Sequence, residues 1–308
     1  MAVTVQCQVF SGRRDPTWNL SPEEVVELRA LIGALTSRTL LKPEAVAGAL
    51  GYRGFLVKSD EIESFAPESS LLVHAGIIDQ QRFTLNLVDE GNRVELFLLN
   101  SGGGVLPPDL KKRIEKEIRF TPPVLPHGWK GLRRKAAKRR RRPHPAVPPP
   151  KVEACRPDFD PQPWNSAAHV GTNHCYNYAT DVMTDHAALP GEGSGSACCS
   201  TDASVTCPKV GAAAENDKLV SVSNVTPMNP PHAHFVALAV EPAGTPGRDF
   251  HWYRRDCNGF WSHKVGNGPA RNVDESGKAI DDPKTCDRGN YTVFCGFFTC
   301  DPAIVTIF

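Results

Sequence analysis

GTNHCYNYATDVMTD, residues 171–185, sets a cysteine directly after Asn173-His174 and ahead of a short amphipathic run. The pattern predicts a helix that starts at Cys175. A helix N-terminus presents unpaired N–H groups and partial positive charge, where a thiolate forms most easily. Strand signals dominate the C-terminal side of this helix. HFVALAV (234–240) and DFHWYRRD (249–256) read as strands, and a Cys257-Asn258-Gly259 turn leads to FWSHK (260–264). YTVFCGFF (291–298) and AIVTIF (303–308) read as closing strands, and LPGEGSGSACCSTDASVTCPKV (189–210) as a loop. One cysteine-bearing helix ahead of a run of antiparallel strands is an α+β layout.

Moving outward, residues 1–125 read as a second, smaller α+β unit. VTVQCQVF (3–10) alternates like a strand. SPEEVVELRALIGAL (21–35) carries helix-start signals: Ser21 as N-cap, Pro22 at the first position and acids in the first turn. GYRGFLVKS (51–59), SSLLVHAGII (69–78), QRFTLNLVD (81–89) and RVELFLLNSG (93–102) read as strands, and PPDLKKRIEKEIRF (107–120) as a closing charged helix. Residues 126–152, PHGWKGLRRKAAKRRRRPHPAVPPPKV, read as a basic proline-rich linker, since prolines and like charges both oppose a packed core. The third division is a cysteine-rich domain over 153–308.

The chain has 308 residues and a net charge of +1, so bulk charge predicts no polyanion partner. Ten Lys/Arg and no acid fall between Lys130 and Lys151. That arm suits a solvated tether, a polyanion contact, a nuclear import signal or a site for a protease that cuts after basic runs. If it is cut, the N-terminal unit is expected to act as a propeptide over the Cys175 thiol. Nine of ten cysteines lie from Cys155 onward, a density that predicts disulfides and an extracellular, oxidising compartment. Disulfides are expected among Cys198, Cys199, Cys207, Cys286, Cys295 and Cys300, with connectivity left open. Against that compartment, MAVTVQCQVF lacks the charged and apolar regions of a signal peptide. No apolar run is long enough to span a bilayer. Asn19, Asn224 and Asn290 stand in glycan acceptor triplets.

A thiol nucleophile needs a base, and the base an orienting acceptor. His234 opens the apolar strand, and Asp256 ends the next one, which returns antiparallel. His251 is a rival base; Asn267 and Asn272 are rival orienters. Cofactors are expected to be absent: there is no Walker A motif, and GEGSGS lacks the context of a dinucleotide loop. His232-x-His234 and the Cys198-Cys199…Cys207 cluster are weighed as zinc ligands, but no pair of C-x-x-C motifs supports a metal.

HFVALAV followed by FHWYRRD and NGFW resembles the papain-like cysteine peptidases. That resemblance implies a papain-like C-terminal fold with Cys175 as nucleophile, His234 as general base and Asp256 as orienter. No Gln sits just before Cys175, which leaves Asn173 as the candidate oxyanion donor. The implied reaction is thiol attack on an amide or isopeptide carbonyl of a protein or peptide, resolved by water (a hydrolase) or by an amine (an acyltransferase). NHCYNYATD, HFVALAV, DFHWYRRDCNGFWSHKVGNGPARNVDESG and IDDP are also similar to a family of NCYNYA-motif proteins of unknown activity. Some animal members are labelled insoluble shell-matrix proteins. FSGRRDPTW (10–18) resembles a segment fused ahead of that domain. This second resemblance implies the alternative: a non-catalytic, disulfide-stabilised protein of an extracellular matrix or surface.

Overall fold

A computed structural model describes residues 2–40, 51–59, 70–79, 85–120, 156–184, 186–227 and 229–308. The basic linker lies outside the described residues. Both helices and antiparallel sheets are present, an α+β protein, and no helix among the described residues is long and apolar enough to cross a membrane.

In the N-terminal half, β1 (Val3–Cys7), β2 (Thr17–Asn19), β3 (Arg38–Thr39), β4 (Phe55–Ser59), β5 (Ser70–His74), β6 (Ile77–Asp79) and β7 (Asn86–Val88) form one seven-stranded sheet. Its order is β2-β1-β4-β5-β6-β7-β3. The segment read as one strand over 69–78 is a hairpin. Ala75 and Gly76 both take positive φ (52° and 70°), as a tight primed turn between right-twisted strands requires. Helix α1 (Pro22–Gly33) begins as its sequence predicts: Ser21 accepts the Glu24 N–H, and the Glu24 carboxylate accepts the Ser21 N–H.

RVELFLLNSG is a helix rather than a strand, α2 (Arg93–Ser101). A short apolar run does not distinguish the two by periodicity alone. Here Asp89 decides it, because its carboxylate accepts the Val94 N–H at 2.7 Å and satisfies an orphan donor of the first turn. Val94, Leu98 and Leu99 then face the core with α3 (Pro108–Phe120) residues Leu110, Ile114 and Ile118.

The C-terminal half is a six-stranded sheet of order β12-β11-β10-β9-β13-β8. It comprises β8 (Val220–Val222), β9 (His234–Val240), β10 (Phe250–Arg255), β11 (Trp261–Lys264), β12 (Ala270–Arg271) and β13 (Val293–Cys300). All seven residues of β9 are buried, since both faces of the sheet are covered. Helices α4 (Cys175–Thr180) and α5 (Cys207–Asn216) cover one face through Val236, Leu238, Val240 and Trp252. Phe235, Ala237, Tyr253 and Trp261 form the core on the other. Helix α5 lies partly within the stretch read as loop. Its N-cap Thr206 accepts the Lys209 N–H. AIVTIF is not a strand: Val305 and Ile307 pack against the core, and the Thr306 N–H bonds to the Asp217 carbonyl after α5.

Cys198 bonds to Cys199 and Cys207 to Cys295; Cys257 is also disulfide-bonded. Cys286 and Cys300, expected in bridges, are thiols, as are Cys7 and Cys175. The register of β13 shifts between Phe294 and Gly296, and Cys295, at this bulge, is the residue that bridges to α5.

The two halves are locked together by FSGRRD. Asp249 accepts the N–H groups of Ser11 (2.6 Å), Gly12 (3.1 Å) and Arg13 (2.9 Å). Arg13 reaches Asp202, and Arg113 of α3 pairs with Glu241 at 2.7 Å. Gly12 lies so close to Phe250 that a Cβ there would stand 2.4 Å from its ring. Gly12→Ala is therefore expected to destabilise the protein by about 1–3 kcal/mol in denaturant unfolding. Gly104→Ala, where a Cβ meets nothing within 4 Å, is expected to stay within about 0.5 kcal/mol of the parent.

Candidate functional site

Cys175 is the first residue of α4, at the helix start that its sequence predicts. It is fully buried. Its N–H, one of the orphan donors of the helix, points to the Ser11 carbonyl at 3.4 Å. The position where an acyl oxygen would be held is thus occupied by backbone from the other half of the chain. Burial, and then the nearby Asp249 charge, push the thiol far above the ordinary cysteine range, against a backbone hydrogen bond involving Trp252 and the charge of Lys264.

The N-cap is His174. Its Nε2 lies 3.0 Å from Asn267 Oδ1, and Asn267 Nδ2 donates to Asp15 Oδ2 at 2.7 Å. Asp15 also accepts the N–H groups of Val9 and Phe10 and lies 3.9 Å from Arg53. Burial lowers His174 to about 3 and raises Asp15 to about 6. The imidazole is therefore neutral. With Asn267 Oδ1 accepting, Nε2 carries the proton. Lys264, wholly buried, donates to the carbonyls of Val170 (2.7 Å) and Gly266 (2.6 Å), and burial holds it well below the usual lysine range.

The residues read from the sequence as a triad take other partners. His234 Nε2 donates to the Ala179 carbonyl at 2.6 Å. Ala179 is four residues past Cys175, about 6 Å along the helix axis, so His234 sits toward the C-terminal end of α4. Asp256 faces the same end. Its Oδ1 accepts from Ser262 at 3.0 Å and lies 3.4 Å from Arg254 Nε, and burial raises it to about 6. The antiparallel β9–β10 ladder does bring the termini carrying His234 and Asp256 to one end of the sheet, with Val236 opposite Arg254. Among the described residues neither side chain is hydrogen-bonded to Cys175.

His251, the rival base, points to the opposite sheet face from α4, because side chains alternate along β10. There it meets His263 at 2.7 Å and packs against Tyr253 and Tyr291. Asn272 is exposed. Asn173, the candidate oxyanion donor, braces a loop instead: its Oδ1 accepts the Thr184 N–H at 2.8 Å, and its Nδ2 donates to the His169 carbonyl and to Thr172. The rival orienter Asn267 does hold a histidine, but that histidine is His174. The missed participants were Ser11, Asp15, His174, Asp249 and Lys264. Only His174 carried a local signal, its adjacency to Cys175. The others arrive through the fold.

An enclosed thiol of raised pKa reacts slowly. In native protein at pH 8, iodoacetamide is expected to modify Cys175 far more slowly than in a denatured control, as read by site-resolved mass spectrometry. Rapid labelling, slowed by His234→Ala, would refute this enclosure. A second expectation concerns pH. Burial lowers His234 from 6.5 to about 4. The unfolded chain takes up that proton near pH 6.5 while the folded chain resists it down to about 4. Stability from His234 is therefore present above pH 6.5 and lost as pH falls toward 4, by on the order of 3 kcal/mol. His234→Gln is expected to flatten that part of the unfolding free energy against pH.

The geometry can be set beside known proteins. The chain is 39% identical over 154 residues to insoluble matrix shell protein 1 of Ruditapes philippinarum, a match that covers 49% of this chain and 95% of that protein. No family model matches, and no solved structure matches. Nearly the whole of the relative is thus represented here, and the chain belongs to the family of that shell-matrix protein.

Proposed function

We propose that this protein is a non-catalytic, disulfide-stabilised component of an extracellular matrix. The observation that carries the reading is the environment of Cys175: a fully buried thiol, raised far above the ordinary range, with its N–H turned to Ser11 of the N-terminal half. A working acyl-transfer thiol needs access, a base within hydrogen-bond reach and a free oxyanion donor. For the papain-like reading to hold, the Ser11 segment would have to leave and His234 would have to move by about one helical turn.

Two further observations support the matrix reading. The relative bears the name of an insoluble shell-matrix protein. The Cys207–Cys295 bridge spans 88 residues and ties α5 to β13, and such bridges persist in oxidising compartments. In the chain-entropy account a bridge over a loop of this length is worth about 4–5 kcal/mol.

The deciding experiment expresses the full chain in a secreting host and tracks two readouts. The matrix reading expects the protein to partition into an extracellular, detergent-insoluble fraction. It also expects Cys175→Ala to leave that partition unchanged. Turnover of amide or isopeptide substrates that Cys175→Ala abolishes would replace this reading with the thiol hydrolase or acyltransferase.

A further inference from the structure

The Cys198–Cys199 bridge joins neighbours in sequence. Unlike Cys207–Cys295 it closes no loop, so it takes almost no entropy from the unfolded chain. Its effect on the protein is therefore local. A bond between adjacent sulfurs makes a small ring through the shared peptide and fixes the backbone there. Within that ring Cys199 stands at φ 75°, in the left-handed region that a residue with a Cβ rarely adopts.

The residues just past Cys199 receive the N-terminal half. Arg13 donates to the Ser200 carbonyl at 3.1 Å and to Asp202 Oδ1 at 2.7 Å, besides the Arg248 carbonyl at 2.9 Å. Asp202 belongs to a short 3-10 turn in which the Thr201 N–H bonds to the Ser204 hydroxyl. Its other oxygen accepts the Gly247 N–H at 2.8 Å. On the preceding side, Arg14 pairs with Glu192, and the Cys198 N–H bonds to the Pro190 carbonyl. The two arginines of FSGRRD thus land on either side of the bridge. Cys199 is buried in the same core as Cys175, while Cys198 is half-buried and open to a reductant.

We propose that the Cys198–Cys199 bridge is a redox latch: closed, it holds Ser200 and Asp202 where Arg13 meets them, and opened, it lets the FSGRRD segment lift from Cys175. Opening needs a dithiol. One thiolate attacks Cys198 Sγ, the bond between the cysteines breaks, and Cys199 leaves and takes up a proton. The second thiol of the reductant then displaces Cys198, which is protonated in turn, and the reductant ends as a disulfide. Freed from the ring, Cys199 relaxes out of the left-handed region and carries the Ser200 carbonyl away from Arg13. A low-molecular-weight disulfide reverses the step and locks the halves. The inference goes beyond the matrix reading and does not rest on it, because it concerns when Cys175 is covered and its readout needs no substrate.

Site-resolved mass spectrometry of iodoacetamide labelling in the full chain tests it. The paired variant Cys198→Ser with Cys199→Ser, in which the ring cannot form, is expected to label Cys175 about tenfold or more faster than the parent without any reductant. The parent is also treated with limiting dithiothreitol until Cys198 and Cys199 map as thiols with Cys207–Cys295 intact, and the reductant is removed. Its Cys175 is expected to reach the rate of the variant and to slow again after oxidation by glutathione disulfide. Cys300, buried in the same core but at the C-terminal end of α4 beside the Thr180 carbonyl, is the internal control and is expected to stay slow. An unchanged Cys175 rate once Cys198 and Cys199 are thiols would overturn the proposal. So would a response to dithiothreitol that persists in the variant, or an equal acceleration at Cys300, which marks unfolding rather than undocking.

Discussion

The rest of the structure depends on one carboxylate. Asp249 is buried, and it gathers three successive backbone N–H groups from Ser11, Gly12 and Arg13 together with the Tyr291 hydroxyl at 2.6 Å. A buried charge is tolerated only when it is well hydrogen-bonded, and here most of its donors come from the opposite end of the chain. The N-terminal segment is therefore part of the C-terminal core's polar satisfaction. Removing it would leave Asp249 facing Cys175 and Glu241 without those donors. The same docking lays the Ser11 carbonyl over the start of α4.

That constraint changes what Cys175 means. A cysteine at a helix N-terminus, seen alone, is an activated nucleophile in waiting. With the segment docked, desolvation outweighs the favourable helix end, and the thiol is driven up rather than down. The neighbouring His174–Asn267–Asp15 chain is likewise a device of packing. It ties the α4 N-cap, the 265–271 loop and the FSGRRD turn through buried hydrogen bonds. Such networks specify one arrangement of elements when nearly all their members are satisfied.

Much of the architecture was legible from local pattern. The Ser21 capping box, the start of α4 at Cys175 and the strand cores of β9, β10 and β11 come from capping chemistry and apolar runs. The failures are equally local in cause. RVELFLLNSG is short enough to satisfy both periods, and a side chain outside it, Asp89, chose the helix. AIVTIF has strand composition, but Val305 and Ile307 pack against the core without joining the sheet, and the Thr306 N–H bonds to the Asp217 carbonyl. Cys286 and Cys300 look like half-cystines by density alone, whereas bridging needs two sulfurs within reach.

By itself, the sequence determined the α+β composition, the helix start at Cys175, the presence of disulfides and the likeness to a shell-matrix family. Those properties reside in contiguous residues and their spacing. Only the tertiary structure decided which carbonyl meets the Cys175 N–H, which face of β10 holds His251, and that His234 bonds to Ala179. These depend on strand register and on a contact between residues 11 and 249. Sequence period carries no record of which distant backbone will satisfy a buried charge.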